Sequence, residues 1–162
     1  MKKAEVQIIY ANQDLLETWM ELVERVRYEI PGLSTDQLLE GHKKTVLKNM
    51  KRESAICAQL NGKVVGVLLF STKNNMLSFL AVHPDYRRRN IATIMIREMF
   101  HNLDRTKNIE VDTFGEGDPA GKAARAFYKK IGFVEGKIVP WRSGTIINEY
   151  AQQRFIYEAK IE

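Results

Sequence analysis

Hydrophobic residues in the first third of the chain recur at helical spacing. A short apolar run at residues 6–11 predicts an opening strand, and residues 13–30 then predict a helix that a Pro-Gly pair ends. The apolar positions on one face of that helix are Leu15, Trp19, Leu22, Val26 and Ile30. Ser34, with Gln37 three positions later, matches a capping box. The pattern therefore predicts a second helix over about 35–51, with Ser34 as its N-cap.

The middle of the chain changes to short apolar segments rich in β-formers, which predict strands. These segments are SAICAQL (54–60), KVVGVLLF (63–70) and MLSFLAV (76–82). Asn61–Gly62 separates the first two segments and is a strong signal for a two-residue hairpin. Lys73–Asn75 joins the second pair. The three segments therefore predict an antiparallel meander.

The last part of the chain alternates between helix and strand patterns. The predicted elements are a helix over 91–103, a strand over 108–114, a helix over 121–131, and two strands over 133–141 and 154–161. The first of these helices places Ile91, Met95 and Met99 on one face. The second ends at Gly132, a residue type that commonly follows a helix end.

This order of elements predicts an α/β protein of the α+β type. Strand–helix–strand passages imply some parallel pairing, and the hairpins imply antiparallel pairing. We therefore expect a mixed central sheet of about seven strands with helices on both faces. No repeat, low-complexity tract or flexible linker divides residues 1–162, so we expect a single domain.

Composition narrows the class of protein. The chain is 44% hydrophobic and 28% charged, which is typical of a soluble globular protein. The longest apolar runs are far too short to span a bilayer, so we expect no membrane partner. No apolar run of signal-peptide length follows the basic start, so we expect a cytoplasmic location. Cys57 is the only cysteine, which excludes an internal disulfide, and its apolar strand predicts an inert core thiol. The net charge of +5 suits an anionic partner.

Three consecutive arginines, Arg87–Arg89, stand where the helix over 91–103 is predicted to begin. The partial positive charge of a helix N-terminus disfavours cations there. A solvated basic patch is one interpretation. The other is an anion site, because a strand that leads through a loop into a helix presents free backbone N–H groups. Ala92 is small enough for a phosphate to approach, and Asn90 tolerates left-handed backbone angles.

Two segments resemble the GNAT superfamily of N-acetyltransferases. VHPDYRRRNIA (82–92) is similar to that family's acyl-CoA motif, V-x-P-x-x-(R/Q)-x-x-G-x-(G/A), with Asn90 in place of the usual glycine. ARAFYKKIGF (124–133) resembles the family's A-x-x-(L/F)-Y-x-x-x-G-F segment. The family often has an asparagine three residues before the alanine of that segment, where this chain has Gly121. The resemblance implies the acyl-CoA N-acyltransferase fold.

The resemblance also implies acetyl-CoA as the co-substrate, with no metal. It assigns the pantetheine arm to the place where the strands at 76–82 and 108–114 splay apart, and the diphosphate to the backbone at about 88–93. The cofactor-binding residues that it implies are Leu80, Ala81, Val82, Arg87, Arg88, Arg89, Asn90, Ile91, Ala92 and Thr93.

The implied reaction is direct attack of a primary amine on the thioester. The backbone N–H of Val82 would donate to the carbonyl oxygen. Tyr128 aligns with the family's general acid, although spacing alone would also suit a core tyrosine. Glu110, Asp112, Glu116 and water all stay open as the general base.

Other functions receive less support from the sequence. A non-catalytic acyl-CoA-binding regulatory domain on the same fold is the alternative, and Tyr128 argues against it. A nucleic-acid-binding module would need a recognition pattern that the chain lacks. His42, His83 and His101 have no partners at metal-ligand spacing. We expect a small-molecule or peptide amine as the acceptor, and a monomer or homodimer.

Overall fold

The computed structural model describes residues 5–30, 32–139 and 152–160. The strands in this part of the chain are β1 (Gln7–Tyr10), β2 (Ala55–Leu60), β3 (Lys63–Ser71), β4 (Met76–Val82), β5 (Ile109–Phe114), β6 (Val134–Val139) and β7 (Gln152–Tyr157). The α-helices are α1 (Leu16–Val26), α2 (Asp36–Lys51), α3 (Ile91–Phe100) and α4 (Lys122–Ile131). No helix among the described residues is long and apolar enough to cross a membrane.

The strands form one mixed sheet in the order β1-β2-β3-β4-β5-β7-β6. Neighbouring strands are antiparallel except β4 and β5, which are parallel. The predicted hairpin is confirmed, since Asn61 (φ 50°) and Gly62 (φ 78°) both adopt the positive φ that a type I′ turn requires. The predicted meander of β2, β3 and β4 and the mixed sheet are confirmed as well.

Helices cover both faces of the sheet, as predicted. The buried cluster on the first face contains residues of α1 and α2 (Trp19, Leu22, Val46 and Met50) and strand residues including Cys57, Val67 and Leu69. The cluster on the second face contains residues of α3 and α4 (Ile91, Met95, Met99 and Tyr128) and strand residues including Leu68, Leu77, Val111 and Phe155. The central strands β2 and β3 are therefore buried on both sides over most of their length, which explains their continuous apolar sequences.

The predicted N-cap of α2 is wrong by one residue. Thr35, not Ser34, caps the helix, because its Oγ1 accepts a hydrogen bond of 3.2 Å from the Leu38 amide. Gln37 is then only two positions after the cap, so no capping box forms. Buried Arg27 donates to the Leu33 carbonyl at 3.0 Å, two residues before this cap.

The other helix boundaries differ by a turn or less. The α-helix predicted over 13–30 begins and ends as 3-10 turns, Gln13–Leu15 and Arg27–Glu29, around α1. The α3 helix ends at Phe100, three residues before its predicted end. Gly132 follows α4 with a φ of 120°, as its sequence position predicts. Pro140 and Trp141, at the end of the sixth predicted strand, lie outside the described residues.

Candidate active site

The parallel strands β4 and β5 separate soon after they begin. They pair only through Met76 with Glu110 and Leu77 with Val111. A register shift between β3 and β4 follows at once, since Phe70 pairs with Leu77 whereas Leu69 pairs with Phe79. Such a shift bends a strand locally. The structure thus confirms that MLSFLAV and NIEVDTF splay apart, and it opens a gap between them.

Backbone groups of β4 line one side of this gap. The His83 amide donates to the Val65 carbonyl of β3 at 2.8 Å. Because successive residues of a strand point their N–H groups to opposite edges, the amides of Leu80 and Val82 face the gap. Ala81 instead turns its amide to β3, and its side chain is buried in the cluster with α1 and α2.

The start of α3 presents free amides beside the same strand end. Asn90 is the N-cap in the left-handed region (φ 62°), and the first intrahelical bond runs from the Ile94 amide to its carbonyl at 3.0 Å. The amides of Ile91–Thr93 therefore precede the hydrogen-bonded part of the helix. Ala92 and Thr93 are half-buried, while Ile91 is anchored in the core. Free amides at a helix start can bind an anion.

The three arginines have different environments. Arg87 is occupied by protein groups: its Nε donates to the Val82 carbonyl at 3.2 Å, and its two terminal nitrogens donate to the Glu29 carboxylate at 3.3 and 3.1 Å. Arg89 lies over the Tyr86 ring, 5.3 Å from its centroid. Arg88 is exposed and forms no ion pair or side-chain hydrogen bond with a described residue, and it adopts a φ of 64°. That left-handed conformation costs an arginine about 1–2 kcal/mol.

Tyr128 lies on the buried face of α4 among aromatic rings. Its centroid is 5.5 Å from that of Phe127, 5.7 Å from Phe133 and 6.3 Å from Phe155. It shares a cluster with Leu77 and Val111, so it lies on the face of the sheet that carries α3. Burial raises the pKa of its phenol, which therefore stays protonated at neutral pH.

The two acids of β5 are paired rather than free. Glu110 and Asp112 lie on the same side of β5, as the strand pattern predicts, and both contact Arg154 of β7. The Arg154 Nε is 3.0 Å from a Glu110 oxygen and 2.8 Å from an Asp112 oxygen. Hydrogen bonding to Asp112 raises the pKa of Arg154, which keeps this guanidinium charged. A general base here would first have to leave its arginine.

The loop acids lie in another place. Glu116 and Asp118 border an open cleft of about 530 Å³ beside the start of α4, together with Lys122, Arg125 and Lys129. Asp118 is engaged locally, because its Oδ1 accepts a hydrogen bond of 3.0 Å from the Ala120 amide.

Phe114 explains why glycine occupies position 121. A Cβ at Gly121 would be 2.0 Å from the Phe114 Cβ and 2.5 Å from its Cγ. The φ of Gly121 is −93°, so the glycine is required by space and not by backbone conformation. The Phe114 side chain thus excludes any side chain from position 121.

We expect Gly121→Ala to lower the free energy of unfolding by about 1–3 kcal/mol, because Phe114 must move to admit the methyl group. Chemical denaturation measures the change. Gly41→Ala is the matched control, since nothing lies within 4 Å of a Cβ at Gly41 in α2, and there we expect a gain of about 0.5–1 kcal/mol. Equal stability of Gly121→Ala and the parent would show that this end of β5 is loosely packed.

The buried Arg125 of α4 was not predicted from the sequence. Its Nη1 donates to the Phe114 carbonyl at 2.9 Å and to Gln153 at 2.6 Å, and its Nη2 donates to Glu135 at 2.8 Å. Arg125 thereby joins α4 to β5, β6 and β7. The sequence could have identified Arg125 by its position, because it is a cation on the apolar face of the helix, three residues before Tyr128.

The histidines and the cysteine show no sign of catalysis. His42 packs on Phe79, with 4.5 Å between the ring centroids, and burial lowers its pKa to about 4. Burial raises the pKa of the Cys57 thiol to about 12. The Nδ1 of His83 accepts a hydrogen bond of 3.1 Å from the Asp85 amide. Within the part of the chain that the structure describes, no group of three His, Cys, Asp or Glu side chains could hold a metal ion.

Comparison with known proteins agrees with this geometry. The model of the acetyltransferase (GNAT) domain family matches residues 51–135, just over half of the chain. That segment contains β4, the start of α3, the gap and Tyr128. No curated protein sequence matches the chain.

Solved structures show the same fold at low sequence identity. A GNAT-family acetyltransferase from Bacillus cereus is 16% identical, with a TM-score of 0.72 over 97% of this chain and 99% of that one. The ribosomal-protein-S18-alanine N-acetyltransferase from Escherichia coli is 17% identical, with a TM-score of 0.69 over 98% and 96%. The PaiA N-acetyltransferase from Thermoplasma acidophilum, in complex with coenzyme A, is 16% identical, with a TM-score of 0.66 over 94% and 99%.

Proposed function

The chain belongs to the GNAT acetyltransferase family, and we propose that it transfers the acetyl group of acetyl-CoA to a primary amine by direct attack in a ternary complex. The observation that carries this proposal is the gap between β4 and β5, with free amides at the start of α3 beside one end of it. We place the activity in one domain that spans residues 1–162.

The described residues fit coenzyme A in charge and in shape. The amides of Ile91–Thr93, with the exposed side chains of Arg88 and Arg89, would hold the diphosphate. The amides of Leu80 and Val82 face the gap, and the Leu80 amide would pair with an amide group of the pantetheine arm. When bound, acetyl-CoA supplies the thioester that the amine attacks.

Two groups of this chain are suited to the chemical step. The Val82 amide would donate to the carbonyl oxygen as charge develops there, a contribution that is typically large in a site that excludes water. Tyr128 would protonate the departing sulfur, because its phenol stays protonated in the buried cluster.

The proton of the attacking amine needs a separate route. Arg154 holds both Glu110 and Asp112, which disfavours either as a free base. We therefore favour water as the group that carries this proton to solvent.

Coenzyme A and acetyl-CoA are expected to bind with micromolar affinity. Ligand at 100 times its Kd stabilises the folded state by about 2.7 kcal/mol, so the melting temperature should rise by about 5–10 °C. Titration calorimetry and thermal unfolding measure the two quantities. The absence of binding at millimolar CoA would contradict the proposed function.

A screen of amines then tests transfer itself. Polyamines, peptide N-termini and aminoglycosides are the acceptor classes to compare, with release of the free CoA thiol as the readout. CoA binding without turnover on any amine would instead support a non-catalytic acyl-CoA-binding domain.

A further inference from the structure

Arg87 connects the start of α3 with the end of α1. Its Nε binds the Val82 carbonyl on β4, and its two terminal nitrogens bind both oxygens of Glu29. Glu29 closes the 3-10 turn after α1 and lies 58 positions away in the sequence. A guanidinium that meets a carboxylate in this two-point manner fixes orientation as well as distance.

A second arginine extends this connection to α2. Arg27, in the same turn as Glu29, is buried and donates to the Leu33 carbonyl at 3.0 Å and to the Asp36 carboxylate at 3.2 Å. Asp36 is the first residue of α2. Contacts therefore run without interruption from the cradle, defined as residues 88–93, through Arg87 and the turn, to the connection between α1 and α2.

The Arg87–Glu29 pair is suited to positioning and not to stability. The two side chains are 46% and 54% exposed, and exposed pairs contribute roughly 0–1 kcal/mol to stability. The pair can therefore be broken without unfolding the protein. Arg88, in a left-handed conformation, follows Arg87 directly, so Arg87 is the residue that joins the cradle to this pair.

We propose that Arg87 is a positioning residue that couples occupancy of the cradle to the α1–α2 connection through Glu29. The proposal rests on the proposed function, in which the cradle holds the CoA diphosphate. Arg87 is then not a phosphate ligand, in contrast to its assignment from the sequence. Binding of CoA would then order the segment 27–36.

Hydrogen–deuterium exchange with CoA as the probe tests this coupling without a known acceptor. In the parent chain, saturating CoA should slow amide exchange in the segment 27–36 by about twofold or more. Glu29→Gln should keep the CoA Kd within about threefold and lose this slowing, because the neutral amide cannot hold the guanidinium fork. Arg87→Lys, which keeps the charge but not the fork, should lose it as well.

Glu24→Gln is the matched control. Glu24 is exposed on α1 and forms no ion pair with a described residue, so its variant should retain the slowing. Equal slowing in Glu29→Gln and the parent would overturn the coupling. A CoA Kd that rises about tenfold or more in Arg87→Lys and falls in Glu29→Gln would also overturn it, because Arg87 would then be a phosphate ligand. If the parent chain binds no CoA, the proposed function is wrong, and the coupling that depends on it is wrong as well.

Discussion

Tyr128→Phe is expected to lower kcat by about 10²–10⁴-fold, while the Kd of CoA changes by less than about twofold. The substitution keeps the ring that packs among Phe127, Phe133 and Phe155 and removes only the proton donor. The hydroxyl makes no hydrogen bond with a residue that the structure describes, so the free energy of unfolding should change by less than about 1 kcal/mol. The kcat is measured as the rate of CoA thiol release in the presence of an acceptor amine from the screen. Slow hydrolysis of acetyl-CoA can serve as the measured reaction in place of transfer to an amine.

Tyr157→Phe is the matched control for this experiment. Tyr157 packs on Phe133 at 5.3 Å between centroids but lies on β7, outside the Tyr128 motif, and its variant should keep parental kcat. A Tyr128→Phe enzyme that turns over at the parental rate would remove Tyr128 from the mechanism and leave water or the substrate as the proton source. A stability loss with normal turnover per folded molecule would identify Tyr128 as a core residue.

The pH profile gives the same hypothesis a second readout. Burial raises the pKa of Tyr128 above that of a free phenol, about 10. The Tyr128 phenol therefore stays protonated as pH rises, so loss of its proton should not lower kcat between pH 7 and about 10. A group with a raised folded-state pKa stabilises the fold below its unfolded pKa, so its contribution is lost only above about pH 10.

The sequence predicts the fold well where local rules decide it. Asn61–Gly62 is a hairpin because both residues tolerate positive φ, and Gly132 ends α4 for the same reason. The cap of α2 is predicted one residue early because Ser34 and Thr35 are both favourable cap types and Gln37 stands three positions after Ser34. The Leu38 amide donates to Thr35 instead, and this contact forms only in the folded chain.

The candidate site is predictable from sequence in its backbone and much less in its side chains. The start of α3 follows from element order and from the motif at 82–92, and the gap follows from the family resemblance that the motif carries. The partners of the arginines cannot be predicted in this way. Glu29 is 58 positions from Arg87, and Asp112 is 42 positions from Arg154. The exclusion of a side chain at Gly121 likewise depends on the Phe114 ring. Such pairs depend on tertiary packing, which no local pattern encodes.

Ala92→Glu is expected to weaken CoA binding by at least about 100-fold with the fold intact. A carboxylate about 4 Å from a phosphate charge is repelled by about 4 kcal/mol at an effective dielectric constant of about 20. Residue 92 lies in the first turn of α3, where an acid interacts favourably with the helix dipole, so stability should stay the same or rise. Titration calorimetry with CoA and thermal unfolding without it separate the two effects.

Ala92→Gln distinguishes charge from bulk at the same position. Glutamine has nearly the size of glutamate, so any weakening that it causes measures the steric part alone. The difference in CoA Kd between the Glu and Gln variants should shrink as ionic strength rises, because salt screens the repulsion between the carboxylate and the diphosphate. If Ala92→Glu binds CoA as the parent does, the phosphates lie away from the start of α3. The arginine run would then be a solvated basic patch, which is the alternative that the sequence left open.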